Sequence, residues 1–326
     1  MDTAPLLTAI DGLPGPNFLQ DHPAFLRASH SPWSFIPQNV LVVLRGIMLA
    51  FIVGTGAMVA HYKLNEESDY TNWRLIFDYS IICFFLVFLY HLIAFSWTFT
   101  HLYYPHRDDY IGGIEGSIIS AMSLPRNMGS LRKQFYFTMF YTATVVAAFM
   151  NSTIYWFITR QNDDGDAPEP QPTPAFGAEL LWSDTAMEVP RAPFSDLFGE
   201  GWFNAFVILA LYGLTSAIMV TEIFWLNSIK RPIAIVSHIF GLIFLAGIYL
   251  GWAAIGTLIT DWYPFFWLDE SLVGSQEAVT AYCIGFVLLA PIMYILMQGI
   301  VGIREGLTRS LSEARAVAAV HEALDS

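Results

Sequence analysis

The sequence predicts an all-α fold: a polytopic membrane helix bundle with about six transmembrane helices and both termini in the cytosol. Three observations predict it, namely the composition, the length of the apolar stretches and the distribution of basic residues. Apolar residues make up 55% of the 326 residues and charged residues 13%, whereas a soluble domain carries about 25% charged residues. A water-soluble globule of this size could not bury that much apolar surface.

Six apolar stretches each approach the roughly 20 residues that cross about 30 Å of hydrocarbon. They lie near 38–61, 73–98, 135–159, 202–226, 232–259 and 278–303. Each must be helical, because a lone strand would leave its backbone donors and acceptors unpaired in lipid. An even number of crossings places both termini on the same side.

The basic residues predict which side is cytosolic. With cytosolic termini, eleven basic residues lie in inner segments: Arg27, Arg45, Arg107, Arg126, Arg132, Lys133, Lys230, Arg231, Arg304, Arg309 and Arg315. Only four lie in outer segments: Lys63, Arg74, Arg160 and Arg191. The positive-inside rule therefore favours cytosolic termini.

This topology divides the chain into three parts. Residues 1–37 contain no apolar run long enough for a signal peptide and form a cytosolic N-terminal tail, and residues 38–303 form the six-helix transmembrane domain. Residues 304–326 have apolar positions at helical spacing and form an amphipathic cytosolic C-terminal tail. Loop 160–200 is rich in acids and prolines, and it would face the exoplasmic or lumenal side.

Composition also limits the partners. No Lys/Arg-rich run exists, so nucleic acid is not an expected partner. Membrane lipids are the expected partners, and the sequence identifies no protein partner. Cys83 and Cys283 lie in apolar stretches and are predicted to be packing residues. The fifth stretch contains four glycines that permit close helix packing, Gly241, Gly247, Gly251 and Gly256.

Four ionisable residues within the apolar stretches are predicted to share one depth, toward the cytosolic leaflet: Arg45, His91, Glu222 and His238. Such groups cost a few kcal/mol each in a membrane, so they usually face a partner or a cavity. One polar cluster is therefore expected. The alternatives are that each histidine is a hydrogen-bonded packing residue, and that Arg45 and Glu222 reach out to the headgroups.

A second group is predicted near the outer face, where Asp78, Thr71 and Asn204 share a level. Asp78 lies close enough to the boundary that it could instead cap a helix or be solvated. No GxSxG nucleophile elbow occurs in the chain.

Two kinds of chemistry suit these residues. His91, His238 and Glu222 together could hold Zn or Fe with open positions for substrate; otherwise no cofactor is expected. Alternatively, a histidine beside a Ser or Thr hydroxyl forms a nucleophile and base for acyl transfer.

Several short motifs appear in order along the chain. Tyr70-Thr71-Asn72-Trp73 precedes the second stretch, Tyr155-Trp156 ends the third, Gly201-Trp202-Phe203-Asn204 opens the fourth, and 262–269, which read WYPFFWLD, follow the fifth. This set resembles the androgen-induced and rolling-stone-like families of six-helix membrane proteins. Some animal members of the androgen-induced group hydrolyse fatty-acid esters of hydroxy fatty acids with an intramembrane threonine and a histidine.

The resemblance implies a lipid-ester hydrolase within the bilayer. The threonine position of the family falls near 75–77, where no hydroxyl exists, and its histidine position falls on Gly201 or Asn204. The catalytic groups would then come from nearby residues: Thr71, Asp78, Asn204, His91 and His238. The first alternative is a non-catalytic membrane protein that organises lipids or binds partners, and the second is the metal-site protein. An endomembrane such as the endoplasmic reticulum and the plasma membrane are both compatible locations.

Overall fold

The structure is a computed structural model that describes residues 23–65, 73–104, 113–125, 128–160, 201–231 and 234–325, with side chains except at 312 and 315–325. Within these residues the fold is all-α and contains no strand. The helices are α1 (Ala24–Ala28), α2 (Gln38–Asn65), α3 (Tyr79–Tyr103), α4 (Gly113–Met122), α5 (Leu131–Thr159), α6 (Trp202–Leu226), α7 (Ile235–Thr260), α8 (Glu270–Val273) and α9 (Gln276–Asp325).

Six of the described helices are long and apolar enough to cross a membrane: α2, α3, α5, α6, α7 and the part of α9 up to Leu311. The prediction of a six-helix membrane bundle is confirmed. Helix α5 ends in a π-helical turn, and α6 contains π-helical turns at Ala210–Leu214 and Glu222–Leu226.

Helix α5 lies at the centre of the bundle and packs against α3, α6, α7 and α9. In its most apolar window 61% of the residues are buried inside the protein, compared with 28% for α2 and for α7. This position explains why α5 carries polar residues such as Thr144 and Asn151 without exposing them to lipid, since both are buried.

The outer faces of the peripheral helices are apolar. On α7, Phe240, Phe244 and Ile248 are exposed at a spacing of four residues, while Leu242 and Tyr249 are buried against the bundle. Side chains four residues apart lie on one face of a helix. In water this face would be an unusually large apolar patch, and in a bilayer it contacts lipid chains.

The end of the bundle that holds α1 and residues 227–231 is called here the inner end, and it is the end predicted to be cytosolic. Residues 23–37 of the predicted N-terminal tail pack against it. Phe25 lies between Trp97 and Phe137, with ring centroids 5.6 and 5.3 Å away. The Trp33 indole donates a hydrogen bond of 2.6 Å to the Phe224 carbonyl.

The remaining predicted segments are the C-terminal tail, the acidic loop and the first part of the N-terminal tail. Helix α9 continues without a break past the predicted boundary at 303, so the described part of the C-terminal tail extends the sixth spanning helix. The acidic segment 161–200 and residues 1–22 lie outside the described residues.

Candidate functional site

A buried ion pair lies in the inner half of the bundle. Arg45 of α2 and Glu222 of α6 are 2% and 0% exposed, and Arg45 Nη2 lies 3.0 Å from Glu222 Oε1. Neither side chain reaches out to the headgroups. The Arg45 guanidinium also donates to four other oxygens, those of Ala28, Leu226 and Ala94 in the backbone and the Thr98 hydroxyl, at 2.6–2.9 Å.

Further polar side chains complete this cluster around Glu222. The Tyr90 hydroxyl donates to Glu222 Oε1 at 2.8 Å, and Asn227 Nδ2 approaches the same oxygen at 3.4 Å. His91 Nε2 lies 4.0 Å from Glu222 Oε2, and its Nδ1 bonds to the Val87 carbonyl at 2.8 Å. The prediction of a shared depth thus identified Arg45, His91 and Glu222, which the structure brings together.

A second buried arginine, Arg304, joins the cluster from α9. It donates to the carbonyls of Ile223 and Asn227, both at 2.8 Å, and to Asn227 Oδ1 at 3.2 Å. The last carbonyls of a helix have no partner within the helix, and a positive charge there is favourable. Arg45 and Arg304 together therefore cap the end of α6 inside the protein.

His238, the fourth residue expected in this cluster, has different neighbours. Its Nε2 lies 3.2 Å from the Thr138 hydroxyl of α5, and its Nδ1 lies 2.8 Å from the Ala234 carbonyl. Its ring lies against the rings of Phe135 and Tyr294, with centroids 5.2 and 6.4 Å away. His238 therefore contacts Thr138, whereas Glu222 contacts Arg45. The expectation that His238 joins the cluster around Glu222 is not met by these contacts.

These contacts also bear on the metal site predicted at His91, His238 and Glu222. Among the residues that the structure describes, no group of three or more His, Cys, Asp or Glu side chains is placed to hold an ion. Glu222 is neutralised by Arg45, and His238 bonds to Thr138. Binding of Zn or Fe by His91, His238 and Glu222 stays a prediction that these contacts do not support.

The geometry at His238 is that of a base beside a hydroxyl. A carbonyl can only accept, so the Ala234 contact places the proton of the neutral ring on Nδ1 and leaves Nε2 as the acceptor. Nε2 then points toward the Thr138 hydroxyl. That hydroxyl has one hydrogen, which it can donate to His238 or to the Phe135 carbonyl at 3.0 Å.

Thr138 also lines a small cavity at the inner end, with a volume of about 10 Å³. Its other lining residues come from α5, α9 and the segment between α6 and α7: Tyr141, Thr142, Ile229, Lys230, Met297, Gln298 and Val301. Thr138 was not among the candidates from sequence. A threonine in a helix is too common to single out before the fold brings His238 to it.

The outer group is predicted from Asp78, Thr71 and Asn204, and the structure gives Asp78 a role in capping a helix. Asp78 is the N-cap of α3, and its Oδ1 accepts from the Ser80 amide at 2.9 Å and from the Ser80 hydroxyl at 2.6 Å. Asp269 and Ser271 at the start of α8 have the same two bonds at the same distances in an exposed position. The Asp78 and Ser80 contact is therefore explained as helix capping.

The remaining outer candidates are Asn204 and Thr71. Asn204 is exposed, and Thr71 lies outside the described residues. A cavity of about 80 Å³ does adjoin Asp78 and Ser80, and it is also lined by Asn151, Tyr155, Tyr212 and residues 264–266. None of its described lining residues is a histidine.

Comparisons with known proteins add nothing to this geometry: no family model, no curated protein and no solved structure matches the chain.

Proposed function

We propose that this integral membrane protein hydrolyses a lipid ester at the inner end of the bundle, with Thr138 as the nucleophile and His238 as the general base. The observation that carries the proposal is the 3.2 Å contact between His238 Nε2 and the Thr138 hydroxyl, with Nδ1 held by the Ala234 carbonyl. A base must lie about 2.6–3.2 Å from the proton donor that it serves, and this pair meets the limit.

The reaction would proceed in two steps. His238 takes the Thr138 proton while the hydroxyl oxygen attacks the ester carbonyl, and the alcohol leaves with that proton as an acyl-threonine forms. Water, deprotonated by the same imidazole, then releases the fatty acid and restores the threonine. The resemblance to the androgen-induced and rolling-stone-like families supports this reaction class, with the two residues on α5 and α7 here.

Four variants of the purified protein test the proposal on a fatty acyl p-nitrophenyl ester in mixed micelles. Thr138→Ala and His238→Gln should lower the rate at least about 100-fold, since each removes one half of the nucleophile and base pair. Thr138→Ser keeps a hydroxyl and should retain activity. Thr142→Ala, on the wall of the same cavity, should stay within about twofold of the parent. A Thr138→Ala protein with parental activity would contradict the proposal.

The second candidate is a non-catalytic membrane protein that organises lipids or binds partners. Its support is the small size of the cavities at Asp78 and at Thr138, which measure about 80 and 10 Å³, while ligand pockets usually measure about 300 Å³ or more. If this candidate is correct, the parent protein hydrolyses no ester, and Thr138→Ala leaves the rate of ester hydrolysis unchanged. An endomembrane such as the endoplasmic reticulum and the plasma membrane suit either candidate.

A further inference from the structure

The segment 227–231, which follows α6, is held at the inner end by hydrogen bonds to α1 and α9. Arg304 donates to the carbonyls of Asn227 and Ile229 at 2.8 and 2.5 Å. The Ser228 amide donates to the Arg27 carbonyl at 2.9 Å. Lys230 therefore projects from a hydrogen-bonded segment beside α1 and α9, and it is half-buried.

Positive charge exceeds negative charge around Lys230. Arg27 and Arg304 lie close enough to act on its ammonium, and among the described residues Glu305 is the carboxylate that opposes them. Glu305 in turn lies 3.9 Å from Arg231. Within the described part of the chain, no carboxylate forms an ion pair with Lys230.

These surroundings disfavour the charged form of Lys230. Burial, and after it the charge of Arg27, lowers the pKa of the Lys230 ammonium below its usual value, and Glu305 offsets this only in part. A cation that is crowded by other cations and partly removed from water is stabilised by a bound anion.

Neutral polar groups adjoin this cation. Lys230 and Gln298 line the same cavity, together with Thr138 and Thr142. Both polar atoms of the Gln298 amide are shielded from solvent and have no hydrogen-bond partner among the described residues. A buried polar group without a partner costs about 1–3 kcal/mol. The cavity of about 10 Å³ holds about one water, which would link the amide to an anion at Lys230.

We propose that Lys230 and the adjoining Gln298 form a binding site for the phosphate of an anionic membrane lipid. The segment lies just beyond the last residue of α6 and before the first of α7, at the level where headgroups meet the predicted cytosolic ends of the helices. Basic pockets between transmembrane helices on that side bind anionic headgroups. The site requires binding only, so it stands with or without hydrolysis at Thr138.

The test is thermal unfolding of the full-length protein in neutral detergent, titrated separately with short-chain phosphatidic acid, short-chain phosphatidylcholine and inorganic phosphate. Phosphatidic acid should raise the melting temperature with saturation, because a ligand that binds only the folded state stabilises it. Phosphatidylcholine should do so much less. If inorganic phosphate is as effective as phosphatidic acid at equal concentration, the lipid is not the ligand and that part of the proposal is overturned.

Lys230→Gln should weaken the apparent affinity for phosphatidic acid about tenfold, the loss expected for one charge-assisted contact. Lys133→Gln is the matched control, because Lys133 is an exposed lysine near the same end of the bundle, and it should leave the affinity unchanged. Gln298→Met provides a second variant of similar size and should also weaken binding. Equal effects of Lys133→Gln and Lys230→Gln, or no saturable stabilisation by phosphatidic acid, would overturn the site.

Discussion

At the scale of single residues, the buried arginines explain how the bundle tolerates charge. An arginine in hydrocarbon is costly, but Arg45 finds one carboxylate and four neutral oxygens around it. Three of those acceptors are backbone carbonyls. Arg304 is satisfied in the same manner at the end of α6. The ion pair is thus part of the packing of α2, α3 and α6.

Arg45→Met should destabilise the protein by about 3–5 kcal/mol, because it leaves the Glu222 carboxylate buried without its cation. The measurement is thermal or denaturant unfolding in detergent. Arg309→Met is the matched control: Arg309 pairs with Glu313 at 2.9 Å, but the two side chains are 77% and 64% exposed. Loss of that pair should cost at most about 0.5 kcal/mol. Similar losses for both variants would show that the buried pair has no special structural role.

Sequence could predict part of this cluster because depth can be counted along a helix. It placed Arg45, His91 and Glu222 at one level, and they meet. It also placed His238 there, although His238 bonds to Thr138. Depth does not specify the direction in which a side chain points around the helix axis, and only the packing of α5 against α7 determines that.

At the scale of helices, local signals determine the boundaries. The apolar residues predict that the second stretch begins near 73, whereas α3 begins at Tyr79 after a 3₁₀ turn at Arg74–Ile76. Asp78 caps the helix through the Ser80 amide, and a capping aspartate specifies a helix start more strongly than composition does.

The glycines of α7 differ in whether a neighbouring helix or segment approaches them closely. A methyl group added at Gly256 would lie 2.5 Å from Phe77 Cγ, whereas Gly247 has no atom within 4 Å of that position.

Gly256→Ala should therefore destabilise the protein by about 1–3 kcal/mol, because Phe77 is buried and its ring must move. Gly247→Ala, on the same helix, should be neutral or stabilising by up to about 1 kcal/mol, since alanine is the better helix former. Unfolding temperatures of the two variants under identical detergent conditions provide the comparison. A Gly247→Ala protein that loses as much stability as Gly256→Ala would mean that helix α7 itself, rather than its contact with Phe77, responds to the added methyl group.

At the scale of the whole molecule, composition was sufficient to predict six helices and their approximate spans, because a bilayer demands long apolar helices and closed backbone hydrogen bonding. It could not predict which faces contact lipid and which contact protein. Both environments are apolar, so α7 is apolar on both its lipid face and its packed face. The centre of the bundle is easier to recognise, because α5 carries polar residues that only protein neighbours can accommodate. The pairing of Thr138 with His238 depends on these orientations and was therefore not predicted.

Labelling with a fatty alkyl fluorophosphonate, followed by mass spectrometry of the digested protein, shows whether Thr138 acts as a nucleophile. Attack by its hydroxyl oxygen on phosphorus expels fluoride, and His238 takes the proton. We expect one phosphonyl adduct on the peptide that contains Thr138, and no adduct there in His238→Gln. An adduct on Ser80 instead, or an unlabelled Thr138 in a preparation that still hydrolyses ester, would contradict it.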